Sequence, residues 1–133
     1  SGTDAGNLAA LEAAEHLYEI GKYQEALNYL DKFSTGEEVL KANVSILRGD
    51  CYVNLKKYDQ AIKEFETAAA EGAGNPEIAP RAMLKQATVY DAQKKYDKAI
   101  ALYEQIMKEY PQFSVNNLDM NAFIERDKAR LGK

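Results

Sequence analysis

The sequence is poor in the residues from which metal, disulfide and most catalytic sites are built. Its 133 residues include one cysteine, one histidine and no tryptophan. The single cysteine, Cys51, excludes an internal disulfide. One cysteine and one histidine, His16, are too few for a zinc site, which takes several nitrogen or sulfur ligands. We therefore predict that the chain holds no metal and no cofactor and is not an enzyme.

Long apolar runs and prolines are also scarce, and acidic residues outnumber basic ones by 21 to 17. No apolar run approaches the ~18 residues that a membrane-spanning helix needs, so we expect no direct insertion into a membrane. With a net charge of −4, the overall electrostatics do not suggest a nucleic-acid binder, and we expect no nucleic-acid partner. Gly72-Ala73-Gly74 lacks the preceding strand that a phosphate-binding loop requires. The three prolines stand among many good helix formers, which favours an all-α fold.

One eight-residue pattern occurs three times, over residues 20–27, 55–62 and 93–100. Its tyrosines, Tyr23, Tyr58 and Tyr96, are 35 and 38 residues apart. Each copy ends one amphipathic helical pattern and begins another. Internal similarity at this period is typical of helical repeat proteins.

The repeats predict a single domain over residues 1–133, with units over about 4–35, 37–72 and 76–111 and a capping helix over about 115–131. Thr3 or Asp4 is expected to cap the first helix, and Gly21 is expected to end it in a left-handed conformation. The final helix suits a terminal cap because it pairs an apolar face with a charged one. The apolar face is predicted to hold Leu118, Met120, Phe123, Ile124 and Leu131. The outward charged face is predicted to hold Glu125, Arg126, Asp127, Lys128 and Arg130.

Small and aromatic residues recur at fixed positions of these units. The third unit shows Ala87 and Tyr90 in its first helix, followed by Ala99, Tyr103 and Pro111. The second unit repeats the pattern with Gly49, Tyr52, Ala61 and Phe65, and the first matches it most weakly with Ala14, Leu17, Ala26 and Leu30. On these positions the chain resembles a tetratricopeptide repeat (TPR) protein. The resemblance implies an all-α, right-handed α-solenoid of three helix-turn-helix units with a C-terminal capping helix, and a non-catalytic scaffold for protein–protein interaction.

A narrower resemblance concerns residues 1–9, 110–114 and 123–126. These short segments are similar to envelope-associated TPR proteins of Bacteroidetes-type bacteria, which resemble the ancillary subunit of the Sec translocon. The resemblance implies the soluble part of a membrane-anchored protein on the periplasmic side of a bacterial cell envelope. The alternative is a cytoplasmic location.

In TPR proteins the first helix of each unit lines a concave surface. The residues that we expect to bind a protein or peptide partner there are Leu11, Glu15, Tyr18, Asn43, Ile46, Leu47, Asp50, Asn54, Arg81, Leu84, Lys85 and Thr88. Leu8, Glu12, Glu19, Val53 and Asp91 are expected to line the same surface. The surface is then acidic at one end and basic at the other, with apolar anchors for a peptide at Leu11, Ile46, Leu47 and Leu84. The alternative interpretation is that these are ordinary exposed side chains.

The sequence argues against one known TPR specialisation, the binding of chaperone tails. TPR domains that bind chaperone tails hold carboxylates with Lys and Asn in the first unit and Lys and Arg in the third. Arg81 and Lys85 imitate the third-unit half, but Leu11 and Glu15 stand at the first-unit positions. Glu15 would repel a carboxylate.

Two further expectations concern packing. His16 shares its repeat position with Cys51 and Val89, which predicts that it is a packing residue and not a ligand. Cys51 is expected to behave as a small buried hydrophobe.

The alternative function is a structural module that self-associates through its repeat faces as a homo-oligomer.

Overall fold

The computed structural model describes residues 4–33 and 36–132, and these residues form seven α-helices. Six of the helices pair into three hairpins, and the seventh packs on the last hairpin. The helices are α1 (Asp4–Glu19), α2 (Tyr23–Leu30), α3 (Glu38–Asn54), α4 (Tyr58–Glu71), α5 (Ile78–Ala92), α6 (Tyr96–Glu109) and α7 (Met120–Leu131). Each helix packs mainly on its neighbours along the chain, which makes an all-α solenoid. Within this part of the chain, no helix has the length and apolar character needed to cross a membrane.

The turns inside the three hairpins have the same backbone conformation. Gly21, Lys56 and Lys94 occupy equivalent positions and have positive φ angles of 81°, 60° and 61°. The N–H of the following residue then donates to a carbonyl five residues back, as in Lys57 to Tyr52 at 2.8 Å. This arrangement satisfies carbonyls at the end of the first helix, and it confirms the left-handed end predicted at Gly21.

Small residues allow the two helices of a hairpin to approach closely. A methyl group added at Gly49 of α3 would lie 2.4 Å from Cε1 of Phe65 on α4. The alanines of the second helices, Ala26, Ala61 and Ala99, are fully buried. The sequence pattern of small and aromatic residues therefore reflects contact between helices.

Packing between units places the first helix of one unit against the second helix of the unit before it. Cys51 of α3 packs in a cluster with Ala26 and Leu27 of α2, and Val89 of α5 packs with α4 in the same way. The prediction that His16 is a packing residue is wrong, because His16 is exposed. None of the described residues lies against α1 at this position, whereas α2 and α4 cover the equivalent positions of α3 and α5.

Two helix boundaries differ from the prediction. The first unit was expected to run to about residue 35, but α2 ends at Leu30, and residues 34 and 35 lie outside the described residues. The last helix begins only at Met120, because residues 115–118 form a tight turn in which Asn116 and Asn117 have positive φ. Asp119 then caps α7 by accepting a hydrogen bond from the Asn121 backbone N–H at 2.9 Å. The cap predicted at Thr3 or Asp4 involves side chains outside the described set.

The docked face of α7 also differs from the predicted one. Met120 and Ile124 are buried against α6 as expected, but Leu118 and Leu131 are about half exposed. Asp127, which was predicted to face water, is fully buried. Arg126 turns inward as well and bonds to the hydroxyl of Tyr103. Arg126 faces inward because Asp91 of α5 and the Tyr103 hydroxyl of α6 accept hydrogen bonds from it, whereas Asp127 is paired with Arg126 and Arg130 of its own helix.

Candidate functional site

A groove of about 460 Å³ opens on the side of the solenoid formed by α1, α3 and α5. These are the first helices of the three units, so each unit contributes side chains from corresponding turns. The residues that line the groove are Glu15, Tyr18, Glu19, Asn43, Ile46, Leu47, Asp50, Arg81 and Lys85. All nine belong to the surface expected from the sequence.

In the middle of the groove, an ion pair between the second and third units leaves no net charge. Nζ of Lys85 on α5 lies 3.0 Å and 3.2 Å from the two carboxylate oxygens of Asp50 on α3. Burial raises the pKa of Asp50, and the nearby charges of Lys85 and Arg81 oppose that shift. The pair holds α3 and α5 together, so neither charge is free to recognise a ligand on its own.

The two ends of the groove carry charges of opposite sign. Glu15 and Glu19 on α1 are exposed, and neither forms an ion pair with any residue that the structure describes. At the other end, Nη2 of the exposed Arg81 donates to Oδ1 of Asn43 at 3.2 Å. A guanidinium has five N–H donors, so Arg81 keeps donors for an acidic group. The groove thus presents an acidic end, a neutral centre and a basic end.

The floor between these charges is apolar. Ile46 and Leu47 border the groove but are only 6% and 7% exposed, because most of each side chain belongs to the core. The hydroxyl of Tyr18 accepts a hydrogen bond from Nδ2 of Asn54 at 3.1 Å, and its ring packs edge-on against Tyr23. Burial and the neighbouring Asp50 raise the pKa of Tyr18, so it is a neutral donor at physiological pH.

Four residues predicted for the binding surface do not line the groove. Leu11 is 5% exposed, packs in a core cluster with Leu30 of α2 and Val44 of α3, and does not border the groove. Its role as an anchor stays a prediction. Leu84 is half-buried against the core of the third unit. Asn54 supports Tyr18 from the edge, and the Thr88 hydroxyl donates to the Lys85 carbonyl at 2.7 Å. Leu84 and Leu11 face the core because other helices cover them, α6 and α7 at Leu84 and α2 and α3 at Leu11.

Asp91 was expected on the same surface, but it belongs to a polar cluster beneath α7. One carboxylate oxygen of Asp91 accepts hydrogen bonds from the Tyr103 hydroxyl at 2.7 Å and from Nη2 of Arg126 at 2.6 Å. Burial and the adjacent Asp127 raise the pKa of Asp91 to about 6, against the opposing effects of Tyr103 and Arg126. The sequence alone did not indicate this cluster, because its members come from three helices.

Cys51 lies in the core, away from the groove. It is fully buried, and burial together with Asp50 raises the pKa of its thiol to about 11. A thiol with this pKa is almost entirely protonated at neutral pH, and the thiolate is the reactive form. The expectation of a buried hydrophobe is confirmed.

Comparison with known proteins assigns the family. Residues 11–76 and 46–112 match a family described as tetratricopeptide repeat. The chain belongs to the tetratricopeptide repeat family. The two matches overlap and together span most of the sequence, so TPR packing extends through all three hairpins. No match to a curated protein was found.

Solved TPR domains share the fold. The first TPR of Spaghetti (RPAP3), bound to the HSP90 peptide SRMEEVD, is 20% identical with a TM-score of 0.76, and the match covers 98% of this chain and 97% of that one. The first TPR domain of the human RPAP3 protein is 21% identical with a TM-score of 0.71, and the match covers 95% of this chain and 92% of that one. At this identity the likeness shows the arrangement of helices only.

Proposed function

We propose that this TPR chain is a non-catalytic interaction module that binds a peptide segment of a partner protein in the groove of α1, α3 and α5. The observation that carries the proposal is the pair of unmatched charged ends. Glu15 and Glu19 stand at one end and Arg81 at the other, on either side of an apolar floor. None of these three side chains forms an ion pair with a described residue, so their charges remain available to a ligand.

The ligand that fits is a peptide with a basic side chain at the α1 end and an acidic group at the α5 end. Complementary charges at the two ends fix the direction of the peptide, and they contribute more to specificity than to affinity. The apolar floor at Ile46 and Leu47 accepts a small apolar side chain between them. This pattern differs from a carboxylate clamp, which is basic along its whole length.

The HSP90 peptide carried by the Spaghetti domain is therefore a poor ligand for this chain. The peptide SRMEEVD ends in a cluster of acidic groups, and Glu15 would face them. Lys85 cannot compensate, because it is already paired with Asp50. We expect no binding of SRMEEVD by isothermal titration calorimetry at peptide concentrations up to about 1 mM, which corresponds to an affinity weaker than ~4 kcal/mol.

The proposal is tested by selecting peptides from a random displayed library and mapping the tightest one by NMR. We expect the backbone and side-chain amide shifts of Asn43 and of neighbouring residues on α3 and α5 to move on titration. Shifts confined to the opposite side of the solenoid, around Glu66 and Gln105, would overturn the assignment of the groove. Failure of the library to yield any binder above background would also count against it.

The proposed cellular setting is a complex of the bacterial cell envelope, supported by the similarity of residues 1–9, 110–114 and 123–126 to envelope-associated TPR proteins. Fractionation of cells that express the complete gene product tests this setting. Recovery with the membrane and periplasmic fractions is expected. Recovery in the cytoplasm alone would contradict it.

A further inference from the structure

Arg48 of α3 links the second helices of the first two units. Its Nη1 donates to Oδ1 of Asp31, which directly follows α2, and its Nε donates to Oε2 of Glu64 on α4 at 3.2 Å. The arginine side chain is 21% exposed, so its guanidinium lies between the two carboxylates in a partly buried position. A guanidinium suits this junction because its planar group presents several N–H donors in different directions.

The next junction, between α4 and α6, keeps one carboxylate, but a glutamine replaces the arginine. Counted from the tyrosine of each hairpin, Gln86 of α5 stands at the position of Arg48. Glu66 of α4 and Leu102 of α6 stand at the positions of the two carboxylate partners of Arg48. Glu66 is exposed, and it forms no ion pair with any residue that the structure describes.

Gln86, Glu66 and Leu102 line a cleft of about 370 Å³ between α4 and α6, which we call the α4–α6 cleft. Gln86 lies on its floor, because its side chain is only 7% exposed. The amide of Gln86 makes no hydrogen bond with any described residue. Buried polar groups in proteins are nearly always hydrogen-bonded, so a ligand that donates to this amide gains affinity from it.

The charge of the cleft selects the sign of the ligand. Glu109 of α6 adds a second carboxylate, which accepts a hydrogen bond from Nε2 of Gln105 at 2.9 Å, and no basic residue of the described chain lines the cleft. The walls include Ala69 and Ala70 of α4, whose small side chains leave room for an aliphatic stem. The cleft therefore fits a cation carried on an apolar chain.

We propose that the α4–α6 cleft binds an arginine side chain of a partner protein. The guanidinium takes the place that Arg48 fills at the preceding junction, where it donates to Glu66 and to the amide oxygen of Gln86. Glu109 adds negative charge beside it, and the stem of the arginine packs on the alanines. Lysine fits less well, because an ammonium is a point charge without the planar fork of donors. No residue lines both this cleft and the groove of α1, α3 and α5, so the inference does not rest on the proposed function.

The test titrates the capped tripeptide acetyl-Ala-Arg-Ala-amide into the full chain. NMR follows the side-chain amide signals of Gln86 and Gln105, which lie on the floor and wall of the cleft. We expect both signals to shift and to saturate with a dissociation constant on the order of a few millimolar, as suits a single charge-assisted contact. The lysine tripeptide should bind about threefold more weakly or worse, and the glutamine tripeptide should cause no shift.

Matched variants separate recognition from the general attraction of a cation to an acidic protein. Glu66→Gln removes the carboxylate of the cleft, and Glu104→Gln removes an exposed carboxylate of α6 that does not line it. Both variants change the net charge equally. Glu66→Gln should weaken binding of the arginine tripeptide by about fivefold or more, whereas Glu104→Gln should bind as the parent does.

A third variant, Gln86→Arg, supplies the guanidinium from the chain itself. The new side chain should pair with Glu66 as Arg48 pairs with Asp31, fill the cleft and abolish the shift of Gln105.

Four results would overturn the proposal. The first is an unmoved Gln86 signal at a tripeptide concentration of about 20 mM, well above the expected dissociation constant. The second is equal binding by Glu66→Gln and Glu104→Gln. The third is parent-like binding by Gln86→Arg. The fourth is a shift of Asn43 in place of Gln86, which would assign the tripeptide to the groove.

Discussion

At Lys56 the backbone has a φ of 60°, and the equivalent Lys94 has a φ of 61°. This left-handed conformation is costly for a residue with a Cβ atom and nearly free for glycine. The first hairpin already has glycine there, at Gly21. The second and third hairpins therefore carry a strain that is absent from the first.

Replacing Lys56 by glycine should raise the stability of the chain. We expect Lys56→Gly to increase the free energy of unfolding by roughly 0.5–1 kcal/mol, as measured by urea denaturation. Lys57→Gly is the control, because Lys57 has a φ of −97° and gains nothing from glycine. A loss of stability in Lys56→Gly equal to that in Lys57→Gly would contradict the explanation.

Gly49 is constrained by contact and not by its backbone angle. The added methyl of Gly49→Ala would meet the buried ring of Phe65, which has no open space to move into. We expect a loss of about 1–3 kcal/mol in the free energy of unfolding, typical of an overpacked core. Gly74→Ala should change it little, since nothing lies within 4 Å of the new methyl. Equal effects of the two changes, measured by thermal unfolding, would argue against close packing at Gly49.

At the scale of the helix, α7 is held by a polar cluster as well as by apolar contacts. Arg126 and the fully buried Asp127 on α7 meet Asp91 on α5 and Tyr103 on α6. Arg130 also bonds to Asp127 at 3.2 Å. The second oxygens of Asp91 and Asp127 are buried and have no partner in the described part of the chain. A proton on Asp91 would relieve the repulsion between the two carboxyl groups.

This cluster predicts a pH dependence of stability with a definite sign. The pKa of Asp91 is about 6 in the folded chain, against about 3.9 for an unfolded aspartate. Because the folded chain binds this proton more tightly, the free energy of unfolding should fall as the pH rises from about 4 to about 6, by on the order of 1 kcal/mol. Urea denaturation across this pH range measures the effect.

The variant Asp91→Asn distinguishes the titration of Asp91 from that of the other acidic groups. The amide can still accept from Tyr103 and Arg126, so the fold is retained while the titration is lost. The variant should show a flatter pH dependence between about pH 4 and 6, whereas Asp59→Asn, at an exposed position of α4, should follow the parent. A parent-like slope in Asp91→Asn would show that other groups cause the dependence.

The elements themselves were largely predictable, because the helices repeat. Tyr23, Tyr58 and Tyr96 located the three hairpins, and each tyrosine begins a helix in the structure. The start of α7 was not predictable from periodicity, since Leu118 continues the apolar pattern although the chain turns at Asn116 and Asn117. At this point the turn at Asn116 and Asn117 sets the start of the helix, and the apolar pattern does not.

The outline of the groove was predicted from the sequence. The differences between prediction and structure all concern the burial of individual side chains. Residues such as Glu15, Asn43 and Arg81 could be placed in the groove because the position of a residue in the repeat predicts the side of the first helix on which it lies. Leu11 packs in the core and does not border the groove, and Asp127 is buried although it was predicted to face water, because burial depends on which neighbour lies across from a residue. His16 failed for the converse reason, since equivalent positions are equally buried only when both have a neighbouring unit.

At the scale of the whole molecule, the solenoid brings three similar helices side by side and thereby sets charges of opposite sign at the two ends of one groove. The ion pair of Asp50 and Lys85 fixes the spacing between the second and third units. In the proposed binding mode, the direction of a bound peptide is set by two positions, Glu15 and Arg81, which no single unit contains.

A charge-swap titration tests peptide binding in this groove most directly. The selected peptide and a version with its acidic residue changed to lysine are titrated into the parent chain and into Arg81→Glu, with Lys63→Glu on the exposed side of α4 as control. We predict that Arg81→Glu weakens binding of the selected peptide by about tenfold or more and that the lysine peptide recovers it. Equal dissociation constants for the parent and Arg81→Glu would contradict a peptide-binding role of the groove.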